Sequence, residues 1–172
     1  MVGGLFVAGQ VGVLKAADYA HEFTDKNMTF SWTVDGENLA VKIAAKTTGW
    51  VGIGFNAEEE MKGANFVLGY VKDGKVKVTD EFGTSYTSHS TDEKLGGTSD
   101  VTVVGGTEEG GMTSVEFTIP LNSGDAQDKV IDPAGETIVL LAYGSGRDSF
   151  RSKHKFRGEY SVNLTSGAWK KF

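Results

Sequence analysis

The chain has 172 residues and a net charge of −6, with 24 glycines, 2 prolines and no cysteine. This length fits one domain with a core of its own, and the lack of cysteine excludes disulfides and thiolate metal sites. The acidic charge argues against nucleic acid as a partner, because nucleic-acid binding needs a basic surface. Many glycines among abundant threonine and valine are typical of short strands joined by glycine turns, which predicts an all-β fold.

The first segment, residues 2–14, is weakly apolar, is interrupted by glycines and is too short to cross a bilayer. It resembles the end of a secretory signal, with small residues at Ala16 and Ala17, although no basic residue precedes Lys15. An edge strand or a disordered arm is an equal alternative. Residues 1–20 are therefore interpreted as an N-terminal arm or a trimmed signal or anchor segment, and residues 21–172 as the folded domain.

Two β-hairpins are predicted from the alternation of apolar and polar residues. In the first, residues 28–34 and 39–45 flank Asp35-Gly36, a favoured hairpin turn. In the second, residues 66–71 and 75–79 flank a turn at residues 72–74. Such patterns indicate antiparallel strands with one face buried.

Residues 49–70 lie between these hairpins and predict a strand, a loop and a second strand. In the first strand Val51, Ile53 and Phe55 share one face, whereas Trp50, Gly52 and Gly54 share the other. Glycines on one face of a strand leave room for a bulky group to approach the backbone. Residues 57–61 predict one helical turn. Its last residue, Met61, follows three glutamates, and it either covers the core from the loop or has a functional role.

The second half of the chain contains two irregular stretches. Residues 81–100 predict a long polar loop that is functional or mobile, with His89 solvated within it. Residues 121–135 are also irregular; the carboxylates of Asp125, Asp128 and Asp132 suit calcium, but turn formation is favoured because no EF-hand spacing is present. Strands are predicted at residues 101–104, 113–119 and 137–143. The last is apolar on both faces, which indicates a central strand of a sandwich.

A basic segment follows at residues 147–158. It contains five of the chain's 17 basic residues, with His154 among them: Arg147, Arg151, Lys153, Lys155 and Arg157. The segment is either a solvated loop or a binding site for an anion, such as the carboxylates of a ligand or an acidic partner surface.

Several short pieces, taken in order and spacing, resemble the DOMON domain family over about residues 23–164. They are the sequences GWVGIGF at 49–55, MKGANFVLG at 61–69, VEFTIPL at 115–121, LAYG at 141–144 and HKFRG at 154–158. The resemblance implies a single-domain, immunoglobulin-like antiparallel β-sandwich that holds either a non-covalent b-type haem or a sugar. Localisation outside the cytoplasm, periplasmic or extracellular and either free or membrane-associated, is implied as well.

In haem-binding members of the family a methionine and a histidine hold the iron, and the matching positions here are Met61 and His154. Trp50 is a further candidate cofactor contact, and the basic cluster beside His154 supplies candidates for the haem propionates: Arg147, Arg151 and Arg157. Some relatives use a lysine in place of the histidine, so Lys153 and Lys155 remain alternatives. The chain departs from the family at Asn65, where an acid is common, and at Lys153, where a second histidine is common.

The chemistry agrees with this resemblance, since methionine–histidine ligation saturates the iron and suits electron transfer. Gly52, Gly54 and Gly69 are expected to let a flat macrocycle lie against the sheet. The partner is then a redox protein or a membrane electron-transfer chain. An enzymatic activity of the domain itself is not expected, because the sequence shows no nucleophile–base pair, no paired acids at a meaningful spacing and no cofactor motif.

Two other functions remain open. One is a haem-free module that binds sugars or small ligands on an aromatic platform, for which the candidates are Trp50, Tyr70, Tyr86, Phe150 and Trp169. The other is a structural domain of a cell-surface assembly, with residues 2–14 as an anchoring or strand-adding arm.

Overall fold

The computed structural model describes residues 19–172, which form two antiparallel β-sheets packed face to face. The predicted all-β sandwich is confirmed, whereas the interpretation of residues 1–18 as an arm or signal lies outside the described residues. The strands are β1 (His21–Asp25), β2 (Met28–Asp35), β3 (Asn38–Ala45), β4 (Val51–Phe55), β5 (Asn65–Lys72), β6 (Lys75–Ser85), β7 (Ser88–Thr91), β8 (Thr102–Glu109), β9 (Met112–Pro120), β10 (Thr137–Gly144), β11 (His154–Val162) and β12 (Trp169–Lys171).

One sheet has five strands in the order β1-β2-β3-β9-β8, and the other has seven in the order β12-β11-β10-β4-β5-β6-β7. A short helix, α1 (Asp92–Leu95), follows β7. No helix in residues 19–172 has the length and apolar character that crossing a bilayer requires.

The main core lies between the two sheets and is built by the alternating residues of their facing strands. Its largest buried side chains include Phe30 and Trp32 of β2, Phe55 of β4 and Phe117 of β9. Trp32 is fully buried, and its indole N–H donates to the carbonyl of Leu164 at 2.9 Å, so its polar atom is satisfied. The predicted first hairpin is present, but Asp35 pairs with Asn38, so its two-residue turn is Gly36-Glu37, one position later than the predicted Asp35-Gly36.

The seven-stranded sheet is apolar on its outer face as well. Strand β10 lies between β11 and β4, and while Val139 and Leu141 face the main core, Leu140 and Ala142 face outward. The prediction of a central strand with two apolar faces is confirmed. A second hydrophobic cluster on this outer face includes Trp50, Ala64, Phe66 and Leu68.

Residues 81–100 differ from the predicted loop. Strand β6 continues to Ser85, and β7 and α1 follow, so only the turn at residues 86–87 and the segment 96–100 lack regular structure. The prediction was wrong because β7 is an edge strand, where no alternation of apolar residues marks the pairing. The predicted helical turn at residues 57–61 was also wrong: Asn56 and Glu60 have positive φ angles of 53° and 54°, which interrupt a helix.

Residues 121–136 form an irregular connection, as expected. Asp125 accepts a hydrogen bond from the backbone N–H of Gln127 at 2.8 Å, and Asp132 accepts one from Ala134 at 3.0 Å. The turn-forming role predicted for these two carboxylates is therefore confirmed. Ile131 fixes the connection to the main core, where it is buried.

Candidate functional site

A cavity of about 700 Å³ lies on the outer face of the seven-stranded sheet. This volume is within the range of pockets that bind cofactors and other small molecules. Its floor is the outer hydrophobic cluster, to which β4, β5 and β10 contribute Gly52, Phe66, Leu68, Leu140 and Ala142. The cavity therefore offers an apolar surface that no second sheet of residues 19–172 covers.

Met61 lines one side of this cavity. It lies in the connection between β4 and β5, and its carbonyl oxygen accepts from the N–H of Ala64 at 3.2 Å. On β6, the backbone of Gly83 lies so close that a Cβ atom there would overlap the Met61 carbonyl oxygen. Gly83 also donates to the carbonyl of Ala64 at 2.9 Å. The loop that carries Met61 is thus fastened to β6, and a glycine makes the close approach possible.

His154 lines the cavity from the opposite connection and begins β11. The pairing of β10 with β11 shifts between Tyr143 and Gly144, so that Tyr143 pairs with Phe156 but Gly144 pairs with His154. Without this β-bulge, strand alternation would place His154 on the same face as buried Phe156. Directly paired residues share a face of the sheet, and Gly144 lies on the outer face, where it packs against Trp50. The bulge therefore places His154, the partner of Gly144, on the outer face as well.

Trp50 lines the cavity and is only 4% exposed. Its indole N–H donates to the hydroxyl of Ser152 at 3.0 Å and to the carbonyl of the same residue at 3.2 Å. Phe150 of the same connection packs against Tyr70 of β5, with ring centroids 4.9 Å apart. These contacts hold residues 145–153 over the sheet, and this segment carries Arg151, Lys153 and the approach to His154.

Basic side chains form part of the rim of the cavity. Arg151, Lys153 and Arg157 line it, and Arg157 forms an ion pair of 3.5 Å with Glu60. Arg147 is exposed and is not among the lining residues; its backbone packs against Gly49, where a Cβ atom would lie 2.8 Å from the Arg147 nitrogen. Lys155 is likewise outside the lining.

His89, which was predicted to be solvated, lies in the same cavity and is half-buried. Its Nδ1 forms a hydrogen bond with a carboxylate oxygen of Glu81, and its ring centroid is 5.6 Å from that of Phe66. Although burial opposes ionisation of Glu81, the bond from His89 lowers the pKa of this carboxyl group. No pattern in the sequence indicates this pair, because it depends on the pairing of β6 with β7.

The expected glycine surface is only partly present. Gly52 lines the cavity, but the Phe66 ring covers Gly54 so closely that a Cβ atom there would overlap it. Gly69 pairs with the inward-facing Val51, and a Cβ atom on Gly69 would lie 3.0 Å from Val115. The prediction for Gly69 was wrong because this glycine faces the main core.

The aromatic residues considered as a ligand platform divide into two groups. Trp50, Tyr86 and Phe150 line the cavity. Trp169 lies elsewhere and stacks on Phe23, with ring centroids 4.4 Å apart. Tyr70 packs behind Phe150 and is not among the lining residues.

Two human proteins are similar in sequence. DBH-like monooxygenase protein 1 of Homo sapiens is 30% identical over 108 residues, which make up 63% of this chain and 17% of that protein. DBH-like monooxygenase protein 2 of Homo sapiens is 28% identical over 145 residues, 80% of this chain and 27% of that protein. The chain therefore spans only a minor part of the length of these relatives.

Solved structures share the fold at low sequence identity. The cytochrome b domain of pyranose dehydrogenase from Coprinopsis cinerea is 14% identical, with a TM-score of 0.62 over 81% of this chain and 78% of that one. The cytochrome domain of cellobiose dehydrogenase from Myriococcum thermophilum is also 14% identical, with a TM-score of 0.59 over 82% of this chain and 76% of that one. The sequence model of the DOMON domain matches residues 24–144. The chain belongs to the DOMON domain family.

Proposed function

We propose that this domain is a b-type cytochrome that binds one haem non-covalently in the outer cavity, with Met61 and His154 as axial ligands, and that it transfers electrons. The observation that carries the proposal is that these two side chains, 93 positions apart in sequence, line the same cavity. A thioether and an imidazole are the ligand pair of many electron-transfer haems.

The residues of the cavity fit a haem in size and chemistry. The volume of about 700 Å³ and the apolar floor of Leu68, Leu140 and Ala142 suit a large, flat, hydrophobic group. Arg151 and Lys153 at the rim suit its two carboxylates. Bound haem would supply reversible one-electron oxidation and reduction, while the apolar floor and the segment 145–153 would limit access of water to it.

The wider setting follows from the same proposal. The fold shared with cytochrome b domains of two dehydrogenases supports an electron-transfer module that has no catalytic site of its own and exchanges electrons with a redox protein or a membrane chain. Localisation outside the cytoplasm, periplasmic or extracellular, belongs to this proposal. Arg147 does not line the cavity, so it would contribute less to binding the haem propionates than Arg151 and Arg157.

A second candidate function is binding of a sugar or another small ligand without haem. The observation in its favour is that Trp50, Tyr86 and Phe150 line one cavity, where aromatic faces suit the flat apolar faces of sugar rings. Met61 and His154 distinguish the two functions, because binding of haem requires both side chains and binding of a sugar does not.

The test is an absorption spectrum of the purified protein, before and after haem is added, in the oxidised and reduced states. We expect a Soret band near ~410 nm that sharpens on reduction and resolved α and β bands, the spectrum of a six-coordinate low-spin haem. Met61→Ala should convert the spectrum to a five-coordinate or high-spin form with little loss of fold. His154→Ala should weaken haem retention more, because imidazole is the stronger ligand.

Matched controls exist for both variants. Met112→Ala removes an exposed methionine and His21→Ala removes a histidine outside the cavity, and both should keep the parent spectrum. His89→Ala tests whether the second cavity histidine is a ligand in place of Met61; two nitrogen ligands would also give a lower reduction potential than a methionine–histidine pair. Unchanged spectra of both Met61→Ala and His154→Ala would contradict the ligand assignment, and a protein that binds no added haem would favour the sugar-binding module.

A further inference from the structure

Three buried or half-buried carboxylates meet at a place outside the outer cavity. They are Asp80 of β6, Asp92 at the start of α1 and Asp128 of the connection between β9 and β10. One oxygen from each lies within 4.8 Å of the others. None of the three lines the outer cavity.

Four oxygens of these carboxylates are buried without a hydrogen-bond partner among residues 19–172: Oδ1 of Asp80, both oxygens of Asp92 and Oδ1 of Asp128. Asp92 has no exposed surface, and Asp80 is 5% exposed. No lysine, arginine or histidine of the described chain forms an ion pair with any of the three. Since buried polar atoms in folded proteins are nearly always paired, four unpaired oxygens in one place indicate a binding partner outside the described residues.

Like charges buried together strongly oppose ionisation. Burial, reinforced by the neighbouring carboxylates, raises the pKa of Asp92 to about 8 and that of Asp80 to about 7. Two more aspartates surround the cluster: Asp100 donates its backbone N–H to Asp80 at 2.8 Å, and Asp125 accepts from the N–H of Thr98 at 2.6 Å.

We propose that Asp80, Asp92 and Asp128 form a binding site for a calcium ion. All the side-chain donors are carboxylate oxygens, with no histidine or cysteine, which suits a hard cation rather than a transition metal. Calcium–oxygen distances of 2.3–2.6 Å make opposite ligands about 5 Å apart, which agrees with the spread of these oxygens. Backbone carbonyls and water would complete the coordination sphere.

The ion would connect three segments that are far apart in sequence: β6, the start of α1 and the irregular connection of residues 121–136. Helix α1 directly follows β7, the edge strand that carries His89. A calcium ion at this place would therefore fix one end of the edge strand that borders the outer cavity, without itself contacting the cavity. This role is independent of what the cavity binds.

The experiment is a calcium titration of the 172-residue protein after treatment with EDTA, followed by calorimetry and by thermal unfolding. We expect heat of binding at one site per chain and a rise in Tm of about 5 °C or more at millimolar calcium, because a ligand that binds only the folded state stabilises it. Asp92→Asn should abolish most of this rise. In EDTA the same variant should unfold at or above the Tm of the parent protein, because a buried carboxylate without a cation has been removed.

Asp132→Asn is the matched control, since Asp132 accepts the Ala134 N–H in a turn and an asparagine oxygen can do the same. It should keep the full response to calcium. Absence of both heat and Tm shift, or an undiminished shift in Asp92→Asn, would overturn the site. An equal shift with magnesium would overturn its assignment to calcium, because magnesium demands shorter bonds and a stricter octahedral geometry.

Discussion

At the scale of single residues, the position of Met61 depends on the absence of a side chain at Gly83. The N–H of Gly83 donates to the carbonyl of Ala64 at 2.9 Å, and its carbonyl accepts from Gly63 at 2.8 Å. Its α-carbon faces the Met61 carbonyl so closely that no Cβ atom fits between them. Two strand-like hydrogen bonds therefore hold the Met61 loop against β6.

Gly83→Ala should push this loop away from β6. We expect a loss of about 1–3 kcal/mol in the free energy of unfolding, the usual cost of forcing an extra carbon into a packed site, together with weaker haem binding. Urea unfolding and a haem titration measure the two effects. Gly105→Ala is the matched control, because a Cβ atom on this strand glycine meets no atom within 4 Å. Equal behaviour of the two variants would contradict the role given to Gly83.

The sequence alone identifies Met61 and His154 as candidates through the family motifs, but it does not predict how they are directed. His154 reaches the outer face only because the β10–β11 pairing shifts between Tyr143 and Gly144, and no sequence pattern marks this bulge. His89 and Asp92 were not recognised for a similar reason. Each gains its neighbours from a pairing or a connection, and not from residues adjacent to it in sequence.

At the scale of elements, Trp50 joins β4 to the connection of residues 145–153. Its indole N–H donates to Ser152, which in turn donates its hydroxyl proton to the carbonyl of Ser149 at 2.8 Å. The connection that carries the basic rim and leads to His154 is thus fixed to the centre of the sheet.

Trp50→Phe should keep the ring packing but remove the indole donor. We expect a loss of about 0.5–1.5 kcal/mol in the free energy of unfolding, as for other intramolecular hydrogen bonds, and faster loss of haem. Urea unfolding and the rate of haem transfer to a competing apoprotein measure these effects. Trp169→Phe, outside the cavity, should leave haem retention unchanged. A similar rate of haem loss in both variants would show that the Ser152 bond is not needed.

A second link between elements joins the two sheets near one edge of each. Asp25 of β1 accepts a hydrogen bond from the Tyr160 hydroxyl of β11 at 2.7 Å and one from Lys171 of β12 at 2.6 Å. The hydrogen bonds from Lys171 and Tyr160 lower the pKa of Asp25 below its ordinary value of 3.8. A carboxyl group whose pKa is lowered by folding stabilises the fold above its unfolded pKa, and this stabilisation is lost as the pH falls through the folded pKa.

Asp25→Asn should therefore lower the Tm at pH 7, and its difference from the parent protein should shrink as the pH falls below about 4. Thermal unfolding monitored by circular dichroism between pH 2 and pH 7 measures this dependence. Glu136→Gln is the comparison, since its ion pair with Lys170 is exposed on both sides and should contribute little. A difference in Tm that stays constant across this pH range would contradict a contribution from the Asp25 charge.

Elements were predictable where burial imposes an alternation of side chains. The first hairpin and β10 follow from such patterns, because one or both of their faces are covered. Strand β7 was missed because an edge strand of serine, histidine and threonine has no apolar face to reveal it. The polar stretch 81–100 therefore resembles a loop in sequence. In the structure, β7 is hydrogen-bonded to β6, and helix α1 follows it.

At the scale of the whole molecule, the seven-stranded sheet has two apolar faces, and the described part of the chain supplies only one sheet to cover them. The inner face packs into the main core, whereas the outer face presents Leu68, Leu140 and Ala142 to the cavity. An antiparallel sheet in a sandwich usually has a polar outer face. Exposure of this apolar outer face to water therefore destabilises the ligand-free protein, and a bound apolar ligand would offset that destabilisation.

Phe55→Ala and Leu140→Ala separate these two surfaces. Phe55 is fully buried between the sheets, and its truncation should cost about 3–5 kcal/mol of unfolding free energy whether or not haem is bound. Leu140 is only half-buried on the outer face, so its truncation should change the stability of the haem-free protein much less but should weaken haem binding.

Comparison of Tm values with and without haem measures this difference, because binding to the folded state raises the Tm in proportion to the logarithm of ligand concentration over Kd. The increase produced by haem should therefore be smaller in Leu140→Ala than in the parent protein and unchanged in Phe55→Ala, provided that this variant still folds. Val139→Ala, a smaller truncation on the inner face of the same strand, serves if Phe55→Ala does not fold. An equal haem-induced increase in the Leu140 and Val139 variants would mean that the outer face of the sheet is not the surface on which the ligand lies.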